Sequence, residues 1–156
     1  MTDDIGVVAP AASAADALGL PYEVVAIPRV GSLEEAARAL GISPRQVAKT
    51  LVIRLGGHDY RLVLVPGDRQ LDWEKLRAVL GVKRAAMPTP DEAAVVTGFE
   101  RGTIGPLGTT TVWPVVMDEA VAGPINIGSG VHGIGLIVDA EQLAKAVDAL
   151  VADVSS

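Results

Sequence analysis

Cysteine is absent from this chain, and little else could take its place. Without thiols there can be no disulfide, no thiolate metal site and no cysteine nucleophile, and the absence fits a reducing compartment. The two histidines, His58 and His132, stand in unrelated contexts and no His-x-x-x-His pair exists, so a metal centre is poorly supplied with ligands. Aromatic residues make up only 3% of the chain, which leaves the core to Val, Ile, Leu and Ala. No apolar run reaches the roughly 20 residues needed to span a bilayer. The first ten residues, MTDDIGVVAP, carry two acids and no basic segment, unlike a secretory signal. Together these absences point to a soluble, cytoplasmic protein without metal or cofactor.

What is present suits one compact domain over residues 1–156, with 49% hydrophobic residues, no internal repeat and no long linker. The net charge of −6 is unevenly spread. Residues 29–101 hold twelve of the thirteen Lys and Arg against nine acids, while both flanking segments are acidic. A basic middle can face a polyanion, and it is equally compatible with an ordinary mixed-charge surface.

The elements alternate in type. An Ala-rich helix is expected near Ala11 to Leu20, then a strand over Tyr22–Ile27. Ser32 opens a helix, with Glu35 at the capping-box spacing and Gly41 as its stop. Ser43-Pro44 starts a short helical turn that leads into a strand from Thr50 to Leu55. "GGHD" turns that strand back into Tyr60–Val65, the clearest hairpin of the chain. Asp72 caps a helix closed by Gly81, and Thr89-Pro90 starts another that runs to about Val96. "TTVWPVVMD", "PINIGSG" and "GIGLIVD" read as strands. Asp139 caps a last helix, "AEQLAKAVDALV". Hairpins mixed with short helices indicate an α+β fold.

Between the fourth helix and the strands lies "TGFERGTIGPLG", Thr97–Gly108, with four glycines and one proline in twelve residues. A P-loop would need Lys-Ser/Thr after its second glycine, and a dinucleotide fingerprint would follow a strand and open a helix; here a helix enters and a strand leaves. Gly98 suits a helix C-terminal cap. Gly102, Gly105 and Gly108, with Pro106, are explained either by turn chemistry or by a wall of exposed main-chain N–H and C=O groups. Ser129 sits in "GSG" without the nucleophile elbow G-x-S-x-G. Lys49, at the entry to the apolar strand "TLVIRL", is either an unremarkable edge lysine or a fixed cation for phosphate or carboxylate, with Thr50 a neighbouring hydroxyl.

Taken in order and spacing, "AARALGISPRQVAKTLVIR", "TGFERGTIGPLG" and "NIGSGVHGIGLIVDAEQL" resemble the YbaK/EbsC family of aminoacyl-tRNA editing domains, also called prolyl-tRNA synthetase-associated domains. The likeness covers about Tyr22 to Val151. It implies a barrel-like, mixed, mainly antiparallel sheet flanked by helices, and hydrolysis of the ester that joins a mismatched amino acid to the 3′-terminal ribose of tRNA. The substrate class it implies is tRNA(Pro) carrying Cys or another small non-cognate amino acid, removed by a free-standing enzyme.

By carry-over, Lys49 holds the phosphate or ribose of the terminal adenosine. Gly98 and Gly102 belong to the catalytic wall, whose N–H groups polarise the ester carbonyl. Thr50, Gly105, Pro106 and Gly108 adjoin the substrate, with Ser129 and Gly130 on the opposite wall. The nucleophile is water, the 2′-hydroxyl of the tRNA, or a cysteinyl thiol.

The chain departs from the family in two places. Many relatives carry a histidine where it has Arg29 and Val30, and an arginine where it has His132. The plain "GSG" also differs from the histidine-containing motif of the alanine-specific branch. Other readings stay open: a non-catalytic module of the same fold that binds tRNA, a nucleotide or prolyl-tRNA synthetase, and a weakly dimerising structural protein.

Overall fold

Among the described residues, four of the five α-helices begin on a side chain that satisfies a free backbone N–H. The computed structural model describes residues 9–28 and 30–156, so Arg29 and the first eight residues lie outside it. Helix α1 (Pro10–Leu18) starts on proline instead of a side-chain cap. The others are α2 (Leu33–Leu40), α3 (Trp73–Leu80), α4 (Pro90–Thr97) and α5 (Ala140–Ala146). They start on Ser32, Asp72, Thr89 and Asp139, each accepting the N–H three residues on. Glu35 completes the first of these by accepting from Gly31 N–H at 3.1 Å, one residue before the cap. Left-handed glycines at 19, 41, 81 and 98 end α1 to α4. Among the described residues no helix is long and apolar enough to cross a membrane.

The strands are β1 (Glu23–Ala26), β2 (Lys49–Gly56), β3 (Asp59–Val65), β4 (Val115–Asp118), β5 (Pro124–Gly128), β6 (Ile134–Asp139) and β7 (Leu150–Ala152). They form two sheets. One is antiparallel, in the order β1-β6-β5. The other is mixed, in the order β2-β3-β4-β7, with β2 antiparallel to β3 and the remaining pairs parallel. The architecture is thus the expected α+β, with a mixed, mainly antiparallel set of strands. The two sheets approach at a single bridge between Val47 and Asn126 and do not close into one barrel.

Period-two alternation explains how β3 is buried on both faces. Leu62 and Leu64 pack with Ile125, Ile127, Leu136 and Leu107 between the sheets. Val63 and Val65 join Ile53, Val116, Leu76 of α3 and Val154 on the opposite face.

Two expected elements differ. The run "TTVWPVVMD" is a strand only from Val115, the residue after Pro114. The last helix stops at Ala146. Asp148 then adopts φ 52°, which no helix continues, and Leu150–Ala152 pairs in parallel with Val116–Asp118. Pairing with a buried strand about thirty residues away overrides local helix preference there.

Candidate functional site

A cleft of about 1270 Å³ opens where the two sheets meet. Its walls are the start of β2, the end of β5 with the loop to β6, the glycine-rich loop, and the segment leading into α4. Much of the lining is apolar, including Ile27, Val30, Met87, Ile104 and Ile127. The charged or titratable side chains among the described lining residues are Lys49, Arg101 and His132, and none of the described lining residues is a carboxylate. That distribution favours an anionic ligand. It offers no acid pair for carboxylate-based hydrolysis. No cluster of three or more potential metal ligands occurs among the described residues.

The residues singled out from sequence divide into two groups. Lys49, Thr50 and Gly102 line the cleft. Lys49 and Thr50, however, leave β2 on opposite faces: Thr50 shares its side with Ala48 and Val52, Lys49 with Leu51 and Ile53. The Lys49 ammonium donates to the main-chain carbonyl of Arg69 at 2.5 Å, which leaves two of its three N–H groups for a ligand. The Thr50 hydroxyl is buried and has no partner among the described residues.

Gly98, Gly105, Pro106, Gly108, Ser129 and Gly130 lie outside the lining, and all but the buried Pro106 have a visible packing or hydrogen-bonding role. Gly98 is the αL cap of α4, with Thr110 pressed against it. A side chain at Gly105 would overlap the Gly128 carbonyl, and one at Gly128 the Ile104 carbonyl, so the two glycine-rich segments touch main chain to main chain. Gly108 lies against the Pro10 carbonyl and Gly130 against the Phe99 ring. The Ser129 hydroxyl, fully buried, donates to the carbonyls of Ile134 at 2.6 Å and Val131 at 3.1 Å, and accepts from Val131 N–H. It is committed to holding the loop and is no nucleophile. Gly130 N–H donates to Thr103 O at 2.9 Å, tying this loop to the glycine-rich one.

These contacts hold the backbone between Glu100 and Gly105 rigidly beside the cleft. Thr103 N–H turns back to Glu100 O at 3.0 Å. The N–H groups of Gly102 and Ile104, on either side of it, have no acceptor among the described residues, and both residues line the cleft. Gly102 has φ 86° and only the His132 ring nearby. Two unpaired donors one residue apart on a cleft wall can polarise a carbonyl oxygen. His132 stands at the same wall, its Nε2 3.0 Å from the Glu100 carboxylate.

Sequence reading missed Ile104, because an apolar residue gives no hint that its N–H is free. It also missed Asn126, a buried residue on β5 whose Oδ1 has no partner among the described residues. A lone asparagine in "PINIG" was the available signal. Arg101, a further cation on the lining, was legible only as one charge among many.

A family model described as an aminoacyl-tRNA editing domain matches residues 27–146. The proline–tRNA ligase of Thermosipho melanesiensis is 36% identical over 99 residues, 64% of this chain and 17% of that protein. The proline–tRNA ligase of Thermotoga sp. (strain RQ2) is 34% identical over 110 residues, 70% of this chain and 18% of that protein. The chain therefore spans under a fifth of the length of these relatives. Among solved structures, a protein described as a candidate trans-editing enzyme for prolyl-tRNA synthetase superposes with a TM-score of 0.85 at 28% identity, covering 94% of this chain and 95% of that one.

Proposed function

Because the chain belongs to the family of aminoacyl-tRNA editing domains, we propose that it is a trans-acting deacylase that hydrolyses the ester of misacylated tRNA. The substrate is tRNA(Pro) carrying Cys or another small non-cognate amino acid, met in the cytoplasm either free or handed over by prolyl-tRNA synthetase. The observation that carries this reading is the pair of N–H groups at Gly102 and Ile104 that have no acceptor among the described residues, on the wall of a cleft whose described lining holds no carboxylate.

Ester hydrolysis needs the carbonyl oxygen to gain negative charge as the nucleophile adds. Fixed N–H donors stabilise that charge, each worth roughly 3 kcal/mol in a dry site. Water attacks the carbonyl carbon and gives up a proton. The bond to the ribose oxygen then breaks, and that oxygen takes up a proton. Lys49 and Arg101 supply positive charge for the terminal phosphate. A volume of about 1270 Å³ exceeds what an amino acid needs and leaves room for the terminal nucleoside. The apolar lining gives selection by size, worth about 1–3 kcal/mol per methylene.

The test is a deacylation panel of Cys-, Ala-, Ser- and Pro-tRNA(Pro) with wild type and Lys49→Ala. The expected result is release of one non-cognate amino acid, Pro-tRNA(Pro) spared, and a loss of about 10²-fold or more in the variant. Binding of tRNA without release from any member of the panel would instead assign a non-catalytic module.

A further inference from the structure

Asn126 interrupts an apolar strand. Its neighbours on β5, Ile125 and Ile127, point into the core between the sheets, so the Asn126 side chain leaves the strand on the other face. Asn126 is only 6% exposed and lines the cleft, and its Oδ1 has no partner among the described residues. A buried polar atom without a partner is costly, and a ligand that bonds it recovers the loss.

The surroundings of this amide are shaped by two glycines. On its face of the sheet the next residue along β5 is Gly128, and the diagonal neighbour on β6 is Gly135. A side chain at Gly128 would overlap the Ile104 carbonyl and come within 2.7 Å of the Thr103 carbonyl oxygen, so the glycine-rich loop rests on β5 there. A side chain at Gly135 would overlap Asn126 Oδ1 and come within 2.7 Å of Ile27 Cδ1. The amide therefore lies across β6 in the space that Gly135 leaves. Two residues along one face of a strand are about 7 Å apart, which separates the amide from the backbone that carries the Ile104 N–H. An acyl group whose carbonyl takes that N–H has its side-chain end within reach of Asn126.

A half-turn of the amide about its last torsion exchanges oxygen and nitrogen, so Asn126 can offer an acceptor or a donor. A hydroxyl donates and accepts and meets either end, whereas the methyl of alanine or the carbon ring of proline meets neither. We propose that Asn126 is a specificity-determining residue of the cleft, and that the acyl group it selects carries a side-chain hydroxyl. The proposal rests on the deacylase reading above and names the substrate class within it.

Wild type is expected to cleave Ser-tRNA(Pro) with a kcat/KM about 10²-fold above that for Ala-tRNA(Pro). Asn126→Leu keeps the size of the side chain and removes the amide, and should bring that ratio close to one. It replaces an unpartnered polar group by an apolar one of similar shape, so the unfolding midpoint should not fall. Gly135→Ala keeps Asn126 but displaces its amide. The atoms it meets are side-chain ends that can move, so this variant folds, and the same loss of ratio is expected. In an Asn126→Leu background it adds nothing further.

A ratio near one in wild type would overturn the proposal and leave the deacylase reading in place. So would an Asn126→Leu variant that slows both substrates alike, the result expected of an amide that takes the α-ammonium they share. If wild type releases no amino acid from any charged tRNA, the deacylase reading falls and binding alone decides the role of Asn126. The probes are then 3′-seryl- and 3′-alanyl-amino-3′-deoxyadenosine, whose amide bond replaces the ester. Binding of the seryl compound about tenfold tighter, with the difference lost in Asn126→Leu, would support the proposal. Equal affinities, or no binding of either compound, would overturn it.

Discussion

A methyl group added at Gly105 would collide with the Gly128 carbonyl, whereas one added at Gly102, three residues earlier in the same loop, would meet nothing nearer than the His132 ring at 3.9 Å. The two glycines look alike in "RGTIGPLG", yet one exists so that two backbones can touch and the other leaves a strand of backbone open to the cleft. Gly98, Gly108 and Gly130 fall with Gly105: each has a neighbour where a side chain would be. The glycine content of the loop therefore has two causes. Most of it is packing that locks the wall. A single position, with φ 86° and open space around it, lies on the lining of the cleft.

The sharpest way to break this division is Gly105→Ala. The added carbon would force the Gly105 and Gly128 backbones apart, at a cost of about 3 kcal/mol, read as a fall in the denaturation midpoint. A cost below about 1 kcal/mol would mean that the contact between the segments is slack. Gly102→Ala makes the complementary case. Its positive φ costs an alanine only about 1–2 kcal/mol, so the protein folds, but the shift of the peptide plane should lower deacylation about tenfold or more. Loss of activity matching loss of folded protein would place Gly102 with the packing glycines.

The smallest expected effect is a control at the other end of α4, where it meets the hairpin. Glu92 accepts from the Tyr60 hydroxyl at 2.5 Å and from Arg54 at 3.4 Å. The Tyr60 bond first, then Arg54, hold its carboxyl below the usual carboxylate range against the opposing effect of burial. A carboxyl depressed in the folded state adds stability above its unfolded pKa, and that stability is lost as pH falls through the folded value. Tyr60→Phe, which keeps the edge contact with Trp113 at 5.1 Å, should therefore flatten the acid side of the stability profile. Gly102→Ala should leave that side as in wild type. If it changes, the loop and the hairpin are coupled in a way that separate packing does not allow.

Local signals made much of the fold legible before any coordinates. Ser32, Asp72, Thr89 and Asp139 cap helices as their spacing predicts, and the "GGHD" turn joins β2 to β3. What was not legible depends on contacts distant in sequence. β7 is a strand because β4 is beside it, whereas its own residues continue a helical pattern. The same holds for the site. The motif order marked Lys49, Thr50 and Gly102 as cleft residues, but not that strand pleating sends Lys49 and Thr50 to opposite faces, nor that Arg69, twenty residues on, holds the ammonium. Free main-chain donors are invisible to any reading of side chains, so Ile104 went unnoticed.

If this cleft acts through its main chain, replacing a peptide N–H by an ester oxygen tests that directly, without touching a side chain. Incorporating the α-hydroxy acid counterpart of isoleucine at position 104 removes that one donor. Single-turnover release from whichever misacylated tRNA(Pro) the wild type cleaves should fall about 10²-fold, with the folded structure and tRNA affinity retained. A rate equal to wild type would contradict the account and move the stabilisation of the carbonyl to side chains.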